Sequence, residues 1–214
     1  MPAPPKLRFH YEYPRPAVTA DAILWTFGER GWRVLLIQRK SEPFAGRWAI
    51  PGGFVNPDEP PRDAAIRELH EETNVVAADF HEVGVFGEKD RDPRGWTISN
   101  AFYALLPEGA VRARAGDDAS RTRWHAMDDL PSLAFDHERI IKLAKKRLTV
   151  DLYTTCVARP LLPSSFTTAQ FGAVARALDA NAPSSTVALR RLAAFGLVRR
   201  GQKAKWRFVD SPKR

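Results

Sequence analysis

The chain has 214 residues, 44% of them hydrophobic, with one cysteine and a formal net charge of +8. That length allows one sizeable core or two small ones, and the single Cys156 excludes an internal disulfide framework. No apolar run approaches a membrane span, and the proline-rich start MPAPPKLRFHYEYPRP lacks the apolar segment of a signal peptide, so a reducing cytoplasm is expected.

The charge is unevenly placed. Residues 1–149 hold 22 Lys and Arg against 22 Asp and Glu, whereas residues 150–214 hold 11 against 3, which is the entire excess of +8. A shift of this kind marks a domain boundary. It divides the chain into residues 1–149 and residues 150–214.

Residues 1–15 read as an extended arm. Residues 17–27 and 32–39 are β-rich runs on either side of Gly28-Glu29-Arg30-Gly31, the pattern of a hairpin. Arg39 and Arg47 are candidates for phosphate contact, against the plain alternative of two surface arginines.

The next stretch, residues 53–75, is dense in carboxylates. Pro60 and Pro61 suit a first helical turn, where a missing N–H costs little, and Asp58 is placed to cap it. Residues 62–73 hold no Pro or Gly. At about 100° per residue Glu68, Glu71 and Glu72 fall within an arc of roughly 100°, while Ile66, Leu69 and Thr73 form another stripe that can face a core. Arg67 is within reach of Glu71. Carboxylates this close repel, which makes most sense around a cation. Hard oxygen donors suit Mg²⁺ or Mn²⁺, and Gly52 and Gly53 let backbone approach the same place. A solvated acidic helix face would explain two or three glutamates, but not the glycine pair, the spaced Glu59 and the Arg67–Glu68 pair together.

These residues resemble the Nudix box, G-x5-E-x7-R-E-U-x-E-E-x-G-U, with U aliphatic. Gly53, Glu59, Arg67, Glu68, Leu69, Glu71, Glu72 and Val75 fill the pattern. Asn74 stands where the family has Gly, and Asn is the next most tolerant residue at a helix stop of positive φ. The resemblance implies an α+β fold, a Nudix α/β/α sandwich with a mixed sheet. It implies a Mg²⁺ or Mn²⁺ held by Glu68, Glu71, Glu72 and the Gly53 carbonyl, with Glu59 supporting that shell. Glu68, Glu71, Glu72 and Arg67 form the implied catalytic set, Arg67 positioning a glutamate by a salt bridge. Nudix enzymes often add a carboxylate from a later loop, for which Asp118, Asp117, Glu88 and Asp92 are open candidates.

Beyond the box, residues 75–86 and 96–106 are β-rich, and the polar GEKDRDPRG between them is a loop. RDPRG followed by WTISNAFYAL resembles ADP-ribose-directed Nudix proteins and their regulatory relatives. Arg91 and Arg94 suit a pyrophosphate or ribose partner, because guanidinium binds such oxygens in a forked geometry; a solvated hairpin tip is the alternative. Trp96, Phe86 and Tyr103 could stack on an adenine or pack in the core. Residues 119–127 read as a short strand. A helix capped by Asp136 follows, with Ile140, Ile141, Ala144 and Leu148 facing inward. His137 and Cys156 read as structural, Cys156 as a small buried residue.

In the last third, Thr167 and Gln170 have capping-box spacing, opening a helix that runs to about Leu178. A second helix spans residues 185–195, with Val187, Leu189, Leu192 and Phe195 as its apolar positions and Gly196 to stop it. Two short strands, residues 197–200 and 205–209, follow. Helix, turn, helix and basic hairpin is the order of a winged helix. With the Nudix box upstream, the whole resembles the Nudix-related transcriptional regulators of NAD metabolism. Arg190 and Arg191 on the second helix and Arg200, Lys203 and Lys205 on the hairpin are the expected DNA-binding residues; dimerisation or docking is the alternative use. The expected function is Mg-dependent hydrolysis of a nucleoside diphosphate derivative, ADP-ribose above others. The alternative is an ADP-ribose-sensing regulator that binds double-stranded DNA. A homodimer would suit either.

Overall fold

The computed structural model describes residues 11–77, 79–109 and 119–209. Its centre is the strand β1 (Ala17–Gly28), paired with β2 (Gly31–Arg39) in the expected hairpin. The remaining strands of this sheet are β3 (Trp48–Ala49), β4 (Gly52–Phe54), β5 (His81–Phe86), β6 (Thr97–Pro107) and β7 (Ala119–Ala126). The order is β3-β2-β1-β6-β5, with β4 also on β1 and β7 on β2. β1 and β6 run parallel from Ala17 opposite Thr97 to Phe27 opposite Pro107, and the other pairs are antiparallel, so the sheet is mixed.

Side-chain alternation along β1 explains the layers. Ala20, Ala22 and Leu24 point to one face and pack with Ala64, Ala65 and Leu69 of helix α1 (Pro61–Thr73). Ile23 and Trp25 point to the other and pack with Ile140, Ile141, Ala144 and Leu148 of helix α2 (His137–Thr154). Residues i and i+2 share a sheet face, and a strand covered on both faces must be apolar at nearly every position. The sandwich is therefore α1, sheet, α2.

The second core continues into the basic part of the chain. Phe166, Phe171, Val174, Leu189, Leu192, Val198 and Trp206 belong to the same buried cluster as Trp25 and Trp32. Trp32 Nε1 donates to the Val174 carbonyl at 3.1 Å across that junction. The part contains helix α3 (Thr168–Leu178), helix α4 (Ser185–Ala194) and the hairpin β8 (Val198–Arg200) with β9 (Trp206–Phe208). The capping box at Thr167 is present in both directions, Gln170 N to Thr167 Oγ1 and Thr167 N to Gln170 Oε1. Gly196 has φ 70° and closes α4.

Several local expectations need correction. The composition break between residues 149 and 150 falls inside α2, which runs unbroken to Thr154. Among the described residues of the 75–86 run only 81–86 are a strand; Val75, Ala77 and Phe80 instead fill the core on the α1 side without joining a ladder. Asp58 does not cap α1: Pro60 occupies the N-cap without any side-chain bond. Pro61 at the first helical position has no N–H, so one donor needing a cap is missing. Asp136 sits at the N-cap of α2, but its carboxylate is turned to Arg91. Val187 and Phe195 are exposed, and Ala188 with Leu189 and Leu192 form the buried stripe of α4. Cys156 is half-buried, not buried. No helix among the described residues is long and apolar enough to cross a membrane.

Candidate active site

Helix α1 carries the box across one face of the sheet, over β1. It stops at Asn74, which has φ 56° and ψ 25° and donates its N–H to the His70 carbonyl. This is the left-handed stop that Asn supports when Gly is absent.

Arg67 is the hub. Its Nε and Nη2 donate to Glu59 at 3.1 and 2.7 Å, and Nη1 donates to Glu68 at 2.8 Å and to Glu71 at 3.0 Å. Nη2 also reaches the Phe54 carbonyl at 3.1 Å. One guanidinium thus offsets much of the repulsion among three carboxylates and ties α1 to β4. Those carboxylates, Glu59 first and then Glu68, raise the Arg67 pKa above its ordinary value against the opposing effect of burial. Glu59 also accepts from the Asn56 N–H and side-chain amide at 2.9 and 2.8 Å. Arg67 first, then the Asn56 backbone, hold its carboxyl down at about 2.

Glu72 is buried and accepts from the Gly52 N–H at 2.9 Å. At Gly53, an added Cβ would lie 2.4 Å from the Glu68 carboxylate carbon, so a side chain there would have to displace that carboxylate. Backbone and carboxylate are pressed together where the glycine pair leaves the space.

A cleft opens beside these glycines. Arg39, Arg91, Asp92, Arg94, Phe54 and Phe135 line it, over a floor that includes Asp21 and His137. Arg94 lies 4.9 Å from the Phe54 ring centre and 5.4 Å from that of Phe135, and Arg39 lies 4.8 Å from Phe135. Burial first, then the neighbouring Arg94, pull the Arg39 pKa down. Two guanidiniums thus share one wall of the cleft. Arg94 is held by Asp92 at 2.7 Å. Burial pushes the Asp92 carboxyl up, but the hydrogen bonds from Arg94 outweigh it and the net shift is downward.

The expected substrate-binding residues therefore divide. Arg39 and Arg94 face the cleft. Arg91 lines it too, but its side chain is only 5% exposed and is spent on a two-point pair with Asp136 at 2.7 and 3.2 Å. Arg47 lies outside the lining, over Phe44 at 5.3 Å. Trp96 is exposed and borders a separate depression formed by the Gly87–Gly95 loop. Phe86 and Tyr103 are core residues.

Among the loop carboxylates, Glu88 pairs with Arg139 away from the cleft, and Asp92 is locked by Arg94. Asp117 and Asp118 lie outside the described residues. Sequence reasoning missed the floor. Asp21, on β1, is buried and accepts from Ser99 Oγ. His137 Nδ1 accepts from the Ile50 N–H at 2.9 Å, which puts its remaining proton on Nε2, 3.9 Å from Asp21. Burial, ahead of the opposing Asp21, lowers its pKa. A polar Asp21 inside the apolar run of β1 was the available signal.

Among the described residues, no three acidic, His or Cys side chains form a ready-made cation cage. The donor set still fits a hard divalent cation. Mg²⁺ commonly takes one or two protein carboxylates and completes its shell with water and substrate phosphate; Glu68 lies against the Gly53 backbone and Glu72 accepts from the Gly52 N–H, which supplies two carboxylates there.

The model of the NUDIX domain matches residues 15–144. The chain belongs to the Nudix family. Over 130 residues this Nudix chain is 43% identical to an ADP-ribose pyrophosphatase of Methanocaldococcus jannaschii, covering 61% of the chain and 73% of that enzyme. It is 31% identical over 160 residues to the ADPR responsive transcriptional repressor NtrR of Acinetobacter baylyi, covering 73% of the chain but only 64% of the repressor. The structure of Shewanella oneidensis NrtR complexed with a 27mer DNA superposes with a TM-score of 0.74 at 29% identity, over 90% of this chain and 93% of that one. The match to NrtR extends past the Nudix domain into the basic part.

There, Arg190 and Arg191 are exposed on α4, and Lys203 and Lys205 are exposed around the hairpin tip. Arg200 is engaged internally: its guanidinium lies 4.6 Å from the Trp206 ring centre, and Nη1 donates to the Ala204 carbonyl at 3.1 Å.

Proposed function

We propose that this Nudix pyrophosphohydrolase cleaves ADP-ribose to AMP and ribose 5-phosphate with a Mg²⁺ or Mn²⁺ cofactor. The carrying observation is the Arg67 hub, which gathers Glu59, Glu68 and Glu71 beside the Gly52–Gly53 start of β4 and an arginine-walled cleft. The 43% identity to an ADP-ribose pyrophosphatase supports the substrate.

In this reading Glu68, Glu71, Glu72 and the Gly53 carbonyl hold the cation. When bound there, such a cation would neutralise charge developing on the pyrophosphate and lower the pKa of water. Glu59 acts one step back, as the counter-ion that fixes Arg67. Arg39 and Arg94 orient the pyrophosphate through charge-assisted hydrogen bonds, and Phe54 and Phe135 keep bulk water from that wall. A water oxygen forms the new bond to phosphorus, the bridging P–O bond breaks with its electron pair leaving on the departing phosphate, and the proton passes to a cleft carboxylate and on to solvent. A panel of nucleoside diphosphate derivatives with Mg²⁺, read by product formation, tests the substrate. Faster turnover of a different pyrophosphate would displace ADP-ribose.

The second reading is that residues 150–214 work as a DNA-binding winged helix, with the cleft sensing ADP-ribose. Exposed Arg190 and Arg191 on α4 and the likeness to NrtR favour it. The two readings use different parts of the chain and are compatible. The proposal carries a cytoplasmic homodimer, whose two-fold symmetry would match a palindromic site. Titration of the full chain with mixed duplex fragments at two salt concentrations tests it. Affinity should fall steeply with salt, and absence of binding at low salt would remove it.

A further inference from the structure

The hairpin β8–β9 holds an electrostatic conflict. Arg199 and Arg207 are Cα partners across the two strands, so their side chains stand together on one face. Like charges directly opposite each other destabilise a sheet. The other positions of the hairpin explain themselves: Val198 and Trp206 are buried, and Arg200 covers Trp206. Arg199 and Arg207 are exposed and form no ion pair among the described residues.

A third guanidinium enters from the side. Arg159, in the short helical turn Arg159–Leu161, lies 5.5 Å from the Phe208 ring centre and donates to the Val209 carbonyl. Arg159, Arg199 and Arg207 line one groove, together with Ser164 and the apolar Leu162, Pro163 and Phe208. Among the described residues no carboxylate lines it. The aspartates described in this part are committed elsewhere, Asp151 to Tyr103 and Arg147 and Asp179 to the Asn181 N–H.

We propose that Arg199 and Arg207, on the groove that Arg159 borders, form a phosphate site, with a backbone phosphate of double-stranded DNA as its occupant; this rests on the DNA-binding reading above. Guanidinium forks match phosphate oxygens, and an anion between Arg199 and Arg207 converts their repulsion into attraction. The site replaces Arg200, which is spent on Trp206, as a phosphate contact of the hairpin. Phosphate contacts fix register without reading sequence, so the groove contributes affinity for all duplexes alike.

The test uses the full chain with Arg199→Gln and Arg207→Gln combined. Without ligand, relief of the repulsion should raise Tm by ~1–3 °C. Duplex affinity at low salt should fall at least tenfold for specific and mixed sequences alike, and the slope of log K against log salt should flatten by about 2. Arg199→Gln alone, with half the effect, serves if the double variant folds poorly. Inorganic pyrophosphate and AMP, titrated against wild type and variant by melting shift, separate a free phosphate from DNA as the source. If wild type binds no duplex but gains stability from pyrophosphate that the variant loses, the phosphate site stands and the DNA reading falls. If wild type and variant bind duplex equally and respond equally to pyrophosphate, the site falls, and loss of duplex binding in Arg190→Gln/Arg191→Gln would leave the DNA reading intact.

Discussion

Arg67 donates to both carboxylate oxygens of Glu59, to Oε1 at 2.7 Å and to Oε2 at 3.1 Å. Glu59 lies eight residues earlier, before α1 begins, so this pair fastens the incoming loop to the helix. The pH dependence follows from its sign. The Glu59 carboxyl lies at about 2, below its ordinary 4.5, chiefly through Arg67. A depressed carboxyl contributes stability that is complete above the ordinary value and is lost as pH falls towards the folded one. Glu59→Gln should therefore melt below wild type near neutral pH, and the gap should close between about pH 4.5 and about pH 2. A gap constant across that window, in melting curves of the two proteins, would show that the pair does not hold the loop.

Glu68 and Glu72 should respond differently to the same substitution. Glu68→Gln weakens an ion pair to Arg67 of 2.8 Å and should cost about 0.5–1 kcal/mol. Glu72→Gln keeps an amide oxygen to accept from the Gly52 N–H, so its stability should hold. Both should lose roughly 100-fold or more in turnover, as groups around a metal do. Urea titrations and initial rates on the two variants check this, and wild-type rates in both would remove the cleft as the site.

Asn74 carries the helix stop at φ 56°. Asn74→Gly should be tolerated, whereas Asn74→Val, β-branched in the left-handed region, should cost about 1 kcal/mol or more. Equal midpoints in urea for the two variants would contradict it.

Trp32 joins the sheet to α3 through Val174. Trp32→Phe should cost about 1 kcal/mol for that buried bond while leaving a single unfolding transition, because one apolar cluster spans both parts. A chain ended at residue 149 would cut α2 and remove part of the cluster that holds Ile140, Leu148 and Trp25, and it should melt well below the full chain. Independent melting of the two parts in calorimetry would overturn the shared core.

Much of this was legible in the chain. The β1–β2 hairpin, α1 with its stop at Asn74, and the Thr167 capping box each depend on neighbours within a few residues. Arg67–Glu71 was legible for the same reason. The partners of Arg91 and Arg200 were not: Asp136 lies 45 residues from Arg91, and Trp206 meets Arg200 only once β8 and β9 pair in register. Asp21 reached the cleft floor because β4 lays Gly52 against it, a pairing no local pattern announces. The charge shift at 149/150 marked a change in surface, and the core beneath it is continuous.

The most direct measurement is the initial rate of AMP release from ADP-ribose by the wild-type chain and by Glu68→Gln, each with Mg²⁺ and after chelation. Wild type should release AMP with Mg²⁺ and lose that release on chelation, and Glu68→Gln should be slower by at least about 100-fold. No release by wild type with Mg²⁺ or Mn²⁺, or an equal rate in Glu68→Gln, would contradict the hydrolase reading.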